Sequence, residues 1–316
     1  MTAPKPETQT DGQTVAHSEI QGQATPGEPQ APSTPLWRRS LAALVRNPVA
    51  LAGLVVLAVL LVCAVFGSAI APAGPNDTDV PRAFTPPSLE YPMGTDNLGR
   101  DVFSRVILSA STAVQVSLVS VGIALVAGCL LGLLAGFYGG WVDTVIMRIV
   151  DVMFAFPVML LAIAIVAVLG TGVNAAIIAI GVVYTPIFAR VTRASTLAAR
   201  EEPYVRAARS LGAGDARIMT RHVLPNISAP IIVQTSLSFA FAILSEAALS
   251  FLGLGVQPPD PSWGRMLFEA KEFLAQGWWM SVFPGLAILL TVLAFNLVGD
   301  ALRDVLDPKT VTREVR

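Results

Sequence analysis

The sequence predicts an all-α, polytopic membrane protein with six transmembrane helices. Three observations carry that prediction. Hydrophobic residues make up 53% of the 316 residues and charged residues only 14%, less charge than a soluble domain of this size carries. Three long stretches, 47–76, 106–142 and 152–189, contain no charged residue. The basic residues are also spread unevenly over the connecting segments, although the net charge is only −1.

Residues 1–34 are rich in Pro, Gln, Thr, Glu and Gly. A segment so poor in large apolar side chains cannot offset its ordering entropy, and it reads as a disordered tail. No charged region followed at once by an apolar core opens the chain, so a signal peptide is not expected. A short amphipathic piece begins at Pro35-Leu36-Trp37-Arg38-Arg39 and ends near Arg46-Asn47-Pro48. Trp37 and the arginines suit a membrane interface. With the first span at 49–70 it makes an N-terminal unit, 35–85, ahead of the main transmembrane domain, 86–309, and a short tail, 310–316.

The polar, Pro-rich segment 71–110 reads as an external loop. It contains Gly94-Thr95-Asp96-Asn97-Leu98-Gly99-Arg100-Asp101, continuing to Arg105: a glycine-bounded turn leading into a charged helix start. Internal Asp–Arg pairs would satisfy such a loop; direct contact with a ligand is the alternative. The second span runs over 113–137. Gly128, Gly132 and Gly136 recur every fourth residue and give a face on which a second helix packs closely. The run 152–189 is too long for one crossing. Gly170-Thr171-Gly172-Val173-Asn174 divides it into a third span, 147–169, and a fourth, 174–190, with Pro157 and Pro186 as kink points. The fifth span covers 229–251 and the sixth 279–298, with a Gly- and Pro-rich loop at 253–264 between them and a polar tail from 299.

Orientation follows from lysine and arginine placement. Six spans put both termini on one side. That side carries sixteen basic residues, seven of them between 190 and 221, against five on the other. The termini and the loop 191–227 are therefore expected in the cytoplasm.

That loop has its own shape. Pro203 fits the first turn of a helix, and Glu201 and Glu202 suit its positive end. Val205, Ala208 and Leu211 recur at helical spacing and predict one apolar stripe. Gly212-Ala213-Gly214 breaks the helix. Asp215 is placed to cap a second short helix carrying Ile218 and Met219 and stopping at Pro225. A helix–turn–helix elbow results; composition alone is equally compatible with an ordinary basic loop.

Several activities find no residues to support them. No Gly-x-x-x-x-Gly-Lys-Ser/Thr run is present to hold a nucleotide phosphate. Nor is there a Ser/His/Asp or Cys/His set, or the paired aspartates or His-Glu-x-x-His of an intramembrane protease. Cys63 and Cys129 lie in apolar runs and read as packing residues. His17 and His222 stand apart, so no metal site is expected, and no nucleic-acid partner.

The elbow resembles the "EAA" loop of ABC-importer permeases: Glu-Ala-Ala, three residues, Gly, nine residues, Ile-x-Leu-Pro. Ala207, Ala208, Gly212, Leu224 and Pro225 stand in register, whereas Arg206 replaces the Glu and His222 the Ile. The run from Gly94 to Arg105 is similar to a signature of the dipeptide/oligopeptide/nickel branch of these permeases. Ser245-Glu246-Ala247-Ala248-Leu249-Ser250-Phe251-Leu252-Gly253-Leu254-Gly255 and Asn296-Leu297-Val298-Gly299-Asp300-Ala301-Leu302-Arg303-Asp304 resemble the C-type subunit of that branch. The resemblance covers 35–309. It implies a type I ABC importer permease in a bacterial cell membrane, paired with a sister permease, two ATPase subunits and an extracytoplasmic binding protein. Residues Arg206, Ala207, Ala208, Leu211, Gly212, Ala213, Asp215, Leu224 and Pro225 would form its coupling helix, docked in a cleft of the ATPase. No cofactor is expected on this chain; ATP and Mg would be handled by the ATPase subunits. Dipeptides or oligopeptides are the expected cargo, with nickel or another small solute as the alternative within the family. An ion-coupled secondary carrier is the alternative outside it. Such carriers place several ionisable groups in the membrane, and Glu246 is the one clear case here.

Glu246 has two readings. A carboxylate in an apolar span costs several kcal/mol unless it is paired, hydrogen-bonded or protonated. It either ties its helix to a neighbour, or faces the translocation path with Ser250, one turn on. In the second reading its partner is Arg100 or Arg105 at rest and a peptide amino terminus in transit. Glu246, Ser250, Arg100 and Asp101 are thus the candidate path residues.

Overall fold

A computed structural model describes residues 47–306. The tail 1–34, the amphipathic piece before Asn47 and the tail 310–316 lie outside the described residues. Ten α-helices follow in order: α1 (Pro48–Ile70), α2 (Val102–Tyr138), α3 (Gly140–Phe154), α4 (Val158–Leu169), α5 (Val173–Ala199), α6 (Pro203–Ser210), α7 (Asp215–Ile218), α8 (Ser228–Phe251), α9 (Trp263–Ala270) and α10 (Trp279–Leu306). The β-pairing among the described residues is a single bridge between Thr95 and Asp101. Five helices, α1, α2, α5, α8 and α10, are long and apolar enough to cross a membrane, and α3 with α4 makes a sixth span if the bent pair counts as one.

Each boundary has a local cause. The Asn47 side chain accepts from Val49 N at 3.0 Å and Ala50 N at 3.4 Å, with Pro48 at the first helical position, so α1 starts capped. Its 23 residues extend about 34 Å, enough for a hydrocarbon core of about 30 Å. Asp101 caps α2 by accepting from Ser104 N at 3.0 Å and Phe103 N at 3.3 Å. α2 therefore begins eleven residues before the expected 113, and its 37 residues, about 55 Å, outreach the bilayer. α5 runs nine residues past the expected 190 and α10 eight past the expected 298. Charge marks where a helix leaves lipid, not where it ends; residues 299–306 are helix, not tail.

The third span is the main departure from expectation. The helix predicted over 147–169 is broken: α3 and α4 meet at 93°. Pro157, with fixed φ and no N–H to donate, stands at the N-cap of α4 where the ladder is interrupted, whereas the other expected kink point, Pro186, lies inside an unbroken α5, as Pro284 does inside α10. α4 has only 12 residues, about 18 Å, too short to cross alone.

α5 is the centre of the bundle, with 67% of its apolar window buried. Ile180 and Phe188 on it are fully buried and pack with Val116, Val121 and Ala124 of α2, Ala162 and Val166 of α4, and Ala242 and Leu249 of α8. The glycine face of α2 makes this approach possible. A Cβ on Gly128 would stand 2.6 Å from Thr185 O, and one on Gly136 2.7 Å from Thr196 Cβ. Those glycines are packing residues.

Candidate functional site

Two constellations of polar and charged residues lie at opposite ends of the bundle. The elbow forms one. α6 opens on Pro203 as expected. Val205 and Ala208 turn inward, and Ile218, Met219 and Val223 join them against Leu133 and Phe137 of α2, Ala199 of α5, and Ile227 and Ile231 at the start of α8. The Arg209 guanidinium lies 5.6 Å from the Phe137 ring centre, within cation–π range. The elbow is therefore keyed to the ends of three membrane helices.

Two details of the elbow differ from expectation. Leu211 does not continue the apolar stripe. The helix ends at Ser210 and Leu211 is 89% exposed, because helical spacing holds only while the helix lasts. Asp215 is the first residue of α7 rather than its cap; Gly214 takes the cap position and no side chain bonds there. α7 then widens into a π turn over Met219–Val223 before Leu224. Gly212 adopts φ 78°, a left-handed conformation that favours glycine. Arg206, Ala207, Leu211, Gly212, Asp215, Leu224 and Pro225 are exposed and Ala213 half-buried, while Ala208 faces inward. Of the nine predicted coupling residues, Ala208 faces the bundle, Ala213 packs partly against it, and the other seven are exposed.

The other constellation is a buried charge network. The Asp96 carboxylate accepts from Arg100 Nε at 2.6 Å. Glu269 Oε2 accepts from Arg100 Nη2 at 2.8 Å and from Arg105 Nη2 at 3.2 Å, while its Oε1 accepts from Arg265 Nε at 3.1 Å. Arg105 is 1% exposed and also donates to Pro75 O at 2.9 Å. Asp101 is engaged by the start of α2, and Ser104 Oγ donates to it at 2.5 Å. Trp279 Nε1 bonds Thr95 O and Trp263 Nε1 bonds Val106 O, both at 2.9 Å. Loop 71–101, α2, α9 and α10 are tied together here.

Glu246 does not belong to that network. It is 1% exposed and accepts from Ser250 Oγ at 2.7 Å; that hydroxyl in turn accepts from Val256 N at 3.0 Å. The pairing expected with Arg100 or Arg105 is absent because Asp96 and Glu269 already occupy both guanidinium groups. Glu246 holds the end of α8 to the loop beyond it. Glu269 and Arg265 were missed from sequence. Their signal was the four-residue spacing after Ser262, which caps α9 by accepting from Arg265 N at 3.1 Å.

An all-helical bundle with this elbow defines a class: the membrane-embedded subunit of a transporter. Comparison with known proteins specifies it. The family described as "Binding-protein-dependent transport system inner membrane component" matches residues 128–312, and "N-terminal TM domain of oligopeptide transport permease C" matches 35–87. The chain belongs to this family of ABC-importer permeases. It is 44% identical to the dipeptide transport system permease protein DppC of Alkalihalophilus pseudofirmus, over 90% of this chain and 93% of that protein. It is 48% identical to the di/tripeptide transport system permease protein DppC of Pseudomonas aeruginosa, over 83% and 89%. The glutathione transport system permease protein GsiD of Escherichia coli is 46% identical over 90% and 93%. The fold described above is similar to that of a chain from the MetNI methionine ABC transporter in an inward-facing conformation, with TM-score 0.52 at 17% identity, covering 64% of this chain and 97% of that one.

Proposed function

We propose that this chain and a sister permease form the translocation path of an ATP-driven importer for di- and oligopeptides delivered by an extracytoplasmic binding protein. The observation that carries the reading is full-length similarity to a dipeptide permease, 44% identity over nine-tenths of both chains. The elbow supports it physically. Its inner face is fixed by Val205, Ile218 and Val223 to the bundle, and its outer face offers Leu211, Leu224 and four arginines, Arg206, Arg209, Arg217 and Arg221, to a partner. One of two ATPase subunits docks there from the cytoplasm and the other on the sister permease; they bind ATP and Mg and rock the helices between inward and outward states. This chain carries no catalytic group of its own. Both termini lie on the elbow side, in the cytoplasm. Glu246, Ser250, Arg100 and Asp101 act by holding the outer ends of the helices in place.

The glutathione permease at 46% identity favours a second cargo, a γ-linked tripeptide. The test is uptake by the purified complex in proteoliposomes, with the binding protein and internal ATP. A labelled dipeptide or glutathione is expected to accumulate with ATP and not with an imposed proton or sodium gradient. Accumulation driven by the gradient alone would overturn the reading.

A further inference from the structure

α3 is held to the rest of the chain on one face. Its other face carries Trp141, Val145, Ile149 and Val152, all exposed. The inward face carries Asp143, Val150 and Asp151, and Val150 is 1% exposed. Both carboxylates meet arginines of α5. Asp143 accepts from Arg193 through Nε and through Nη2, the latter at 2.6 Å. Asp151 accepts from Arg190 Nη2 at 2.7 Å, and the same guanidinium lies 4.0 Å from the Phe154 ring centre. Arg200, at the end of α5, donates to Gly136 O at 2.9 Å, just before the Gly139-Gly140 turn into α3. At about 100° per residue, positions 190, 193 and 200 fall within about 80° of one another on α5, so one stripe of α5 carries all three anchors.

The two ion pairs are unequal. Arg190 and Asp151 are about half exposed, at 50% and 53%, and such pairs contribute little alone. Arg193 and Asp143 are at 32% and 20% and meet in a two-pronged fork, the stronger geometry. α5 continues within a few residues into α6, so the anchored end of α5 is also the stem of the elbow. α3 passes through Pro157 to α4, whose Ala162 and Val166 sit in the core with Ile180.

We propose that α3 is a strap that carries motion of the elbow to α4. Arg193 and Arg190 pull on Asp143 and Asp151, and the rigid α3 turns α4 about the break at Pro157. Arg193 and Asp143 are positioning residues of the transport cycle. The inference rests on the function proposed above, so its test separates the two. Asp143→Ala with Asp151→Ala is compared with the exchanged pair Asp143→Arg with Arg193→Asp, in the complete complex. Hydrogen exchange of α3 amides is expected to rise about tenfold or more in the double alanine variant, with elbow amides unchanged. ATP hydrolysis should stay within about twofold while peptide uptake falls about tenfold, so more ATP is consumed per peptide. The exchanged pair should recover both α3 protection and uptake. Arg193→Lys, which keeps the charge and loses the fork, serves where the alanine variant fails to assemble, and should fall between the two. Unchanged α3 exchange would overturn the strap, as would a loosened α3 with unchanged uptake per ATP. If the unaltered complex hydrolyses ATP yet moves no peptide, the cargo reading fails, while α3 exchange still decides whether the arginines hold the strap.

Discussion

Gly212 shows how a single residue sets the elbow. Its φ is 78°, and a Cβ built there would meet nothing within 4 Å. A larger side chain therefore has room; what it lacks is the backbone conformation, at about 1–2 kcal/mol for an L-residue. Gly212→Ala is expected to impair ATP-driven uptake severalfold, and Gly212→Asn, which tolerates the left-handed region, much less. Equal uptake by both variants would show that the turn conformation is not needed. Glu269 poses the opposite problem. It alone bridges Arg100, Arg105 and Arg265, and Arg105 is almost wholly buried. Removing one partner of a buried charge set costs about 3–5 kcal/mol. Glu269→Gln should lower the thermal midpoint of the detergent-solubilised protein by several degrees, whereas Glu90→Gln, in an exposed pair with Arg82, should leave it unmoved. Such partners were not legible in sequence. Asp96 and Arg100 are four residues apart in one turn and read as a local pair, but Glu269 lies 169 residues from Arg100, and only the packing of α9 against the start of α2 brings them together.

At the scale of the elements, periodicity told where apolar faces lie, while termini and angles needed the three-dimensional context. The glycine face of α2 was legible because Gly at every fourth position has one consequence in a membrane helix, a close neighbour. That neighbour is α5, and its backbone leaves no room for a side chain. Gly128→Leu would push against Thr185 O and Phe188 Cβ, atoms that cannot swing aside. Overpacking of this kind costs about 1–3 kcal/mol when side chains can adjust, and here they cannot. Membrane-inserted Gly128→Leu protein should be degraded or aggregated rather than assembled, whereas Gly285→Leu, where a Cβ meets nothing within 4 Å, should assemble normally. Similar yields of assembled complex from both would contradict the close packing. The break at Pro157 was half legible. Proline announced a kink, but neither its 93° nor the pairing of the α3 aspartates with Arg190 and Arg193 of α5 is recorded in any local pattern.

For the whole molecule, the lysine and arginine bias supports the orientation proposed above. The bundle has an elbow end, where Arg206, Arg217 and Arg221 are exposed and Arg190, Arg193 and Arg200 pair with carboxylates, and an opposite end, where Arg82, Arg100, Arg105 and Arg265 do so. Basic residues concentrate on the elbow side, and lysine and arginine are favoured next to the anionic cytoplasmic leaflet. In the orientation proposed above, the elbow is cytoplasmic and loop 71–101 external. Two exposed residues test it: Leu211, 89% exposed in the elbow, and Leu89, 104% exposed in the loop. Cys63 and Cys129 are the native cysteines and are first replaced by alanine. In intact spheroplasts a membrane-impermeant maleimide should label Leu89→Cys at once and Leu211→Cys only after lysis. The complete complex should protect Leu211→Cys even after lysis, since the ATPase would cover it. Labelling of Leu211→Cys in intact spheroplasts would reverse the topology and remove the elbow from reach of any cytoplasmic ATPase.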